Sequence, residues 1–347
     1  MTTASFIAAL PKVELSIQLA GAIQPRTLTL IAERNDIGDS LKHYDTWLKL
    51  MHEPDVSRLY EILRMACSWL KTADDLTLVV YDLGTWLSKQ NVRYAEVCVD
   101  PLYFPDLNLS YDGVLGAIND GRDRAKRAWG VDMAWIFTIP REEPRRADDL
   151  ARWVSTANAQ RGSVVALGLS GDEKAQPVGQ FTRAFQMVEK KEFGRVARAG
   201  DALGAEGVQK ALDELHPHRI IDARGAAEDP ALVQALLDQS VTLAVNLTRA
   251  QKQNWVASVT EYPLRALYDA GLSLVLGSDM PSLYRTTLTA EYSAAIEQGG
   301  LTVDEVENLA LNAVRSSFLP EDARTEMLQS FTDSYAALRT EHLATIS

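Results

Sequence analysis

The chain has 347 residues, 46% of them hydrophobic and 24% charged, an ordinary globular composition that argues against disorder. Its formal charge of −12 at pH 7 argues against nucleic acid or a membrane as partner, because both select clustered Lys and Arg. We therefore expect a small-molecule ligand, with a protein partner or a homo-oligomer as further alternatives.

The chain shows no sign of a targeting or membrane segment. Residues 1–10 lack a basic region, and Pro11 and Lys12 interrupt their apolar run, unlike a secretory signal. No stretch approaches the roughly 18 consecutive apolar residues of a membrane span. Cys67 and Cys98 fall in apolar helical and strand-like patterns, which predicts buried free thiols. We predict a cytoplasmic protein.

Short segments rich in Val, Ile and Leu alternate with amphipathic helical patterns along the chain. This alternation is typical of repeated βα units and a parallel sheet, and eight units close a barrel. We therefore predict an α/β fold of the (β/α)8 TIM barrel class. The predicted strands are Val13–Leu19, Val92–Val99, Val131–Ile139, Ser163–Leu169, Phe193–Ala197, Arg219–Ile221, Thr242–Val245 and Leu272–Leu276.

Helices are predicted between the strands and after the last one. The clearest are Ala147–Ala159, Gly207–Leu215, Asp229–Asp238 and Leu264–Ala270. Two helical patterns within residues 36–73, Lys42–Met51 and Val56–Leu70, do not fit the repeat and predict a helical cap inserted after the first strand and its helix. Two C-terminal helices are predicted at Val303–Ser317 and Glu321–Ala344. We find no linker and predict a single domain over residues 1–347.

Polar residues stand at the carboxyl ends of the predicted strands, where barrels of this class build their active sites. They are Ser16 and Gln18 on the first strand, Asp100 after the second, Arg198 after the fifth, Asp222 after the sixth, Asn246 after the seventh and Asp279 after the eighth. The predicted mouth is polar and contains no histidine.

Seven short motifs stand in order along nearly the whole chain. They are Leu10–Leu15 followed by Gly21 and Pro25, Leu169–Glu173, Ala226–Pro230, Tyr262–Leu264, Ser278–Pro281, Thr286–Tyr292 and Asn312–Phe318. Together they resemble the adenosine deaminase family, a zinc-dependent branch of the amidohydrolase superfamily. The resemblance implies the same barrel fold, and it implies that Gly171, in the second motif, approaches a purine ring.

The chain departs from the resembled family at the positions that carry the chemistry. That family holds zinc with an H-x-H pair on the first strand, a histidine after the fifth and an aspartate after the eighth. The matching positions here are Ser16, Gln18, Arg198 and Asp279. The family's general-base histidine is matched by Asp222, its proton-donating glutamate by Asp201 and the second aspartate of its D-D-P motif by Met280.

These substitutions bear directly on zinc. A hydrolytic zinc site needs about three Cys, His or carboxylate ligands besides water. Serine and glutamine are weak ligands, and a guanidinium keeps its charge. Without zinc, the pKa of water stays near its bulk value of about 15.7 instead of falling to about 7. We therefore predict no metal, no cofactor and no zinc-dependent deamination.

The resemblance implies a ligand pocket lined by Ser16, Gln18, Gly171, Arg198, Asp201, Asp222 and Asp279. Because two carboxylates near an absent ion would repel each other, we predict that the guanidinium of Arg198 takes the ion's place and bonds to Asp279, to Asp222, or to both. The structural alternatives are packing roles for Ser16 and Gln18 and a tight turn at Gly171. Asp201, Asp222 and Arg198 have solvent-facing positions as their alternative.

Three functions follow from this pattern. The main hypothesis is a noncatalytic homologue, a pseudoenzyme, that binds a purine- or nucleoside-like molecule or regulates a partner. The second is a metal-independent enzyme with altered chemistry, in which Asp201, Asp222 and Asp279 act as acids and bases around Arg198. The third is a structural subunit with a relic pocket. The histidines of His216-Pro217-His218 precede the sixth strand, and we predict a solvated loop there.

Overall fold

The barrel consists of β1 Lys12–Gln18, β2 Val92–Val99, β3 Asp132–Pro140, β4 Val164–Ser170, β5 Gly194–Arg198, β6 Arg219–Ile221, β7 Thr242–Val245 and β8 Ser273–Leu276. This computed structural model describes residues 2–37 and 58–343. Every strand pairs in parallel with the next one in sequence, from β1 through β8. The predicted (β/α)8 barrel is confirmed, and the predicted strand ends fall within about one residue of those observed.

Helices cover the outside of the barrel. They are α1 Thr3–Ala9, α2 Leu19–Ala22, α3 Pro25–Arg34, α4 Leu59–Cys67, α5 Ala73–Ser88, α6 Tyr111–Trp129, α7 Ala147–Val154, α8 Ala157–Arg161, α9 Thr182–Glu189, α10 Gly204–Leu215, α11 Pro230–Asp238, α12 Leu247–Lys252, α13 Leu264–Asp269, α14 Pro281–Tyr284, α15 Leu288–Glu297, α16 Val303–Arg315 and α17 Glu321–His342. Because helices cover one face and side chains fill the other, the strands are almost wholly buried.

The first and last strands meet through a few specific contacts. The backbone N–H of Gln18 donates to the carbonyl oxygen of Asp279 at 2.8 Å. Beside it, Glu14 on β1 accepts from both the backbone N–H and the hydroxyl of Ser278, at 2.9 and 2.6 Å. These bonds nearly close the barrel, and they bring the end of β8 to the end of β1.

Some helix boundaries differ from those predicted. The predicted helix Ala147–Ala159 is two helices, because the hydroxyl of Thr156 accepts the N–H of Ala159 and starts a new one. The predicted helix Val56–Leu70 is found as α4, whereas Lys42–Met51 lies outside the described residues, so the cap stays a prediction.

The C-terminal helices are confirmed as α16 and α17. The second of them is fastened to the barrel by the hydroxyl of Tyr335, which donates to the carbonyl oxygen of Pro11 at 3.0 Å.

Cys67 and Cys98 are buried and free, as predicted. Over residues 2–37 and 58–343, no helix has both the length and the apolar character to cross a membrane.

Candidate active site

Four predicted site residues lie at or just after the carboxyl ends of strands β5, β6 and β8. Arg198 ends β5, Asp201 follows it in the next loop, Asp222 follows β6, and Asp279 follows β8. The backbone φ angle is 79° at Asp222 and 54° at Asp279. This left-handed region is unfavourable for residues with a Cβ, and such strain persists mainly at functional sites where neighbouring contacts maintain it.

Arg198 is held between two of these carboxylates. Its Nη1 donates to Oδ2 of Asp222 and its Nη2 to Oδ1 of Asp279, each at 2.5 Å. Arg198 is 2% exposed and Asp279 is fully buried. Both bonds of the predicted alternatives are therefore present, and the guanidinium points into the barrel mouth rather than into solvent.

A second guanidinium, that of Arg249 on α12, joins the same carboxylates. Its Nη2 donates to Oδ2 of Asp201 at 2.7 Å, and its Nη1 bonds to Asp222 and lies 3.3 Å from Oδ2 of Asp279. Arg249 is 4% exposed, and its guanidinium lies 4.8 Å from the ring centroid of Trp255, a favourable cation–π distance. We call Arg198, Arg249, Asp201, Asp222 and Asp279 the charge network.

Sequence reasoning missed Arg249. The available signal was its place one helical turn beyond Asn246, the polar end of β7. Residues one turn apart on a helix lie on the same side of it, so Arg249 faces the mouth that Asn246 also borders. No motif of the resembled family pointed to an arginine at this place.

Ser16 is buried beneath the charge network. Its hydroxyl donates to Oδ1 of Asn246 at 3.2 Å, and Nδ2 of Asn246 donates to Oδ1 of Asp222 at 3.1 Å. Ser16 is fully buried, so it supports Asp222 through Asn246 from the barrel interior.

Gln18 and Gly171 border the mouth at other strands. Gln18 is 7% exposed, and its backbone N–H bonds to Asp279 as described. Gly171 follows β4 with a φ of 87°, and a Cβ there would lie 2.6 Å from the backbone nitrogen of Arg141. Glycine is therefore required at this turn for conformation and for space. The neighbouring Arg141 donates from Nη2 to the carbonyl oxygen of Arg198 at 2.8 Å.

Met280, which matches a catalytic position of the resembled family, and the predicted mouth residue Asp100 do not join the charge network. Met280 packs against Gly21, where an added Cβ would lie 2.4 Å from the Cγ atom of Met280. Asp100, after β2, accepts the backbone N–H of Leu102 at 2.9 Å and lines a separate cavity with Arg64 and Glu142. Burial raises the pKa of Asp100 to about 7.

Burial dominates the titration of the network carboxyls. It raises the pKa of Asp222 to about 6, although Arg198 lowers it. Burial and then the charge of Asp222 raise the pKa of Asp201 well above its ordinary value. Burial also raises the pKa of Asp279, against the effect of Arg198. Two fixed positive charges thus face three carboxyl groups, which leaves an excess of one acid that protonation can neutralise.

The described residues offer little to a metal ion. Within residues 2–37 and 58–343, no group of three or more His, Cys, Asp or Glu side chains is arranged to hold one. At the four positions that match the resembled family's ligands, Asp279 alone is a usual zinc ligand, and it is paired with Arg198. His216 and His218 lie before β6, and both are exposed at the opposite end of the barrel, as predicted.

Solved structures share this fold. A cog1816 amidohydrolase from Burkhoderia ambifaria with bound Zn has a TM-score of 0.88 at 22% identity and covers 98% of this chain and 95% of its own. Arabidopsis ADAL complexed with IMP has a TM-score of 0.85 at 19% identity and covers 96% and 99%. At these identities the likeness establishes the fold alone.

Sequence relatives bear on function. Aminodeoxyfutalosine deaminase of Streptomyces coelicolor is 27% identical over 96% of this chain and 86% of its own length. The hypothesis of a noncatalytic pseudoenzyme is therefore wrong, and so is that of a structural subunit, because relatives matching nearly the whole chain are named as deaminases and point to an active enzyme. The family model described as adenosine deaminase matches residues 11–334, and the chain belongs to that family.

Proposed function

We propose that this chain is an enzyme that acts on a purine-like small molecule, with acid and base groups from its own side chains and without a metal ion. Relatives named as deaminases support the catalytic part of the proposal. Arabidopsis ADAL, whose fold is shared, is complexed with the purine nucleotide IMP, which supports the substrate class.

The observation that carries the metal-free part is the charge network. Zinc would bring two positive charges to Asp279 and its neighbours, and here Arg198 and Arg249 bring two guanidinium charges to the same carboxylates. Ser16 and Gln18 add no strong zinc ligand, and a guanidinium does not give up its proton to become one. The residues present therefore do not fit the family's zinc, and we propose a reaction that does not use it.

Asp201 and Asp222 are our candidates for the acid and the base. Both carboxylates bond to Arg249, which holds them side by side. Two neighbouring carboxyls with raised pKa values can divide the roles, because the group that holds its proton donates it while the ionised group accepts one. We assign the donor to Asp201, whose side chain is 13% exposed, and the base to the more deeply buried Asp222.

In this scheme, Asp222 removes a proton from an attacking water as the water oxygen bonds to the amine-bearing ring carbon, and Asp201 protonates the adjacent ring nitrogen. The bond from that carbon to the exocyclic amine then breaks, and the amine leaves as ammonia with the proton that Asp222 took up. Each transfer is concerted with bond formation, because a carboxylate is too weak a base to ionise free water. Arg198 and Arg249 hold the carboxyl groups in place. Gln18 and Gly171, at the rim of the mouth, are the proposed contacts to the purine ring.

A turnover assay tests the proposal. Protein treated with a strong chelator is incubated with purine bases, nucleosides and nucleotides that bear exocyclic amines, and the products are identified by mass spectrometry. We expect at least one compound to be converted, and Asp222→Asn to convert it far more slowly. Failure to convert any compound, or equal turnover by Asp222→Asn, would argue against an enzyme of this kind.

The proposed roles predict the pH dependence of kcat/KM. Asp222 must be ionised to act as a base, so activity should fall as pH drops through about 6, the raised pKa of its carboxyl. Asp201 must hold its proton, so activity should also fall on the alkaline side as that group ionises. A bell-shaped profile is expected for the wild type, and Asp222→Asn should lose its acidic limb. If Asp222→Asn kept the fall in kcat/KM at low pH, a group other than Asp222 would be responsible for that fall.

A further inference from the structure

Three buried glutamates belong to the family-like motifs but not to the charge network. Glu14 lies in the Leu10–Leu15 motif, Glu173 in Leu169–Glu173 and Glu291 in Thr286–Tyr292. Each is 5% exposed or less. The proposed chemistry gives none of them a role, although burying a carboxylate is costly unless its oxygens are satisfied.

Glu173 binds the loop that carries Asp201. Its Oε1 accepts the backbone N–H of Gly200 at 2.8 Å, and its Oε2 accepts those of Ala202 and Leu203 at 2.8 and 3.0 Å. These donors lie on both sides of Asp201 in sequence. The carboxylate therefore fixes the backbone that sets the position of the proposed proton donor.

The other two glutamates bind the backbone at the start of helix α12 and in the loop after β8. Glu291 accepts the backbone N–H groups of Leu247 and Thr248 at 2.8 and 3.2 Å, and these residues immediately precede Arg249. Glu14 accepts the backbone N–H of Ser278 at 2.9 Å, the residue before Asp279.

We propose that Glu14, Glu173 and Glu291 are positioning residues that fasten the backbone beside three network residues: the loops that carry Asp279 and Asp201, and the start of helix α12, which carries Arg249. Each acts on a network residue through the backbone next to it, from a distant part of the chain. An effect of these glutamates on catalysis rests on the function proposed above. Their effect on the backbone beside the network residues does not, and it can be measured without substrate.

The chemistry of the two carboxylate oxygens predicts a contrast between glutamine variants. At Glu173 both oxygens face backbone N–H groups, which cannot reverse their role, so the amide nitrogen of glutamine would oppose a donor. At Glu291, one oxygen faces backbone N–H groups and the other accepts from the hydroxyl of Thr286 at 2.8 Å. That hydroxyl can rotate and accept from an amide instead. Glutamine should therefore be unable to replace the hydrogen bonds of Glu173, but it should be able to replace those of Glu291.

Hydrogen–deuterium exchange measured by mass spectrometry tests the fastening on the full chain. In Glu173→Gln, we expect peptides covering residues 199–204 to exchange faster than in the wild type, with little change elsewhere. Glu291→Gln should leave peptides covering residues 246–250 close to wild type, while Glu291→Ala should speed their exchange. The control is Asp172→Asn. Asp172 precedes Glu173 in sequence and is exposed, and its carboxylate accepts the backbone N–H of Lys174.

Unchanged exchange at residues 199–204 in Glu173→Gln would overturn the proposal. If that variant does not fold, the Glu291 pair decides, and equal exchange in its glutamine and alanine forms would overturn it. Where turnover is measurable, Glu173→Gln should lower kcat by about 100-fold through misplacement of Asp201, with KM little changed. If the variant's loop exchanges faster but the wild-type protein converts no substrate, the proposed function is contradicted, whereas the proposal that Glu173 fastens the loop still holds.

Discussion

Replacing Arg198 with alanine is expected to destabilise the protein by about 3–5 kcal/mol at neutral pH, the usual cost of removing one partner from a buried ion pair. Arg198 is 2% exposed and bonds to both Asp222 and Asp279. Without Arg198, the buried carboxylates of Asp222 and Asp279 would share a single network guanidinium, that of Arg249. The free energy of unfolding, measured by urea denaturation, gives the result directly.

Arg124→Ala is the matched control for this stability measurement. Arg124 also pairs with an aspartate, Asp120, but both side chains are about half exposed, so its loss should cost at most about 1 kcal/mol. A similarly small cost for Arg198→Ala would mean that its guanidinium does not hold the carboxylates together.

The loss of unfolding free energy caused by Arg198→Ala should be smaller at acidic pH than at neutral pH. Burial already raises the pKa values of Asp222 and Asp279, and loss of the guanidinium would raise them further. A carboxyl whose pKa is raised in the folded state destabilises that state when ionised, and the penalty vanishes once protons bind it in both states. Repeating the denaturation near pH 5 should therefore bring the variant closer to the wild type. A deficit independent of pH would point to lost packing instead of unpaired charge.

Asp201→Asn is expected to lower kcat/KM by about 10²–10⁴-fold, the usual contribution of a general acid or base. Asparagine has nearly the same shape and can still accept from Arg249, but it has no carboxyl proton to transfer. The measurement is steady-state kinetics on the compound that the wild type converts best.

Asp172→Asn serves as the control for this kinetic comparison, because Asp172 is exposed and stands outside the charge network. It should retain wild-type kcat/KM. If Asp201→Asn also retained it, the proton would have to come from another group, and the division of roles between Asp201 and Asp222 would be wrong.

The sequence was most informative about the barrel. Hydrophobic runs placed all eight strands, because strands covered on both faces must be apolar along their length. The same placement identified Arg198, Asp222 and Asp279 as neighbours, since the carboxyl ends of parallel strands meet at one face. The ion pairs of Arg198 were predicted from two arguments together: the resemblance puts Arg198 at the position of a zinc ligand, and two carboxylates at one site repel each other unless a cation lies between them.

Other features were beyond sequence reasoning. Arg249 lies on a short helix whose first backbone N–H bonds to the distant Glu291, and its guanidinium packs over the ring of Trp255. The loop contacts of Glu173 join residues about 30 positions apart and have no local pattern. The hypothesis of a noncatalytic protein failed for a different reason. It took the changes at the positions that match zinc ligands as evidence against any catalysis, whereas relatives that match nearly the whole chain are named as deaminases.

The most direct test of metal-free catalysis compares one preparation before and after removal and return of zinc. Metal content is measured by mass spectrometry, and kcat/KM is measured on the best purine-like substrate. We predict far less than one zinc per chain and the same kcat/KM after chelation and after incubation with excess zinc. About one tightly bound zinc per chain, with turnover lost on its removal and restored on its return, would contradict the assignment of the chemistry to the charge network.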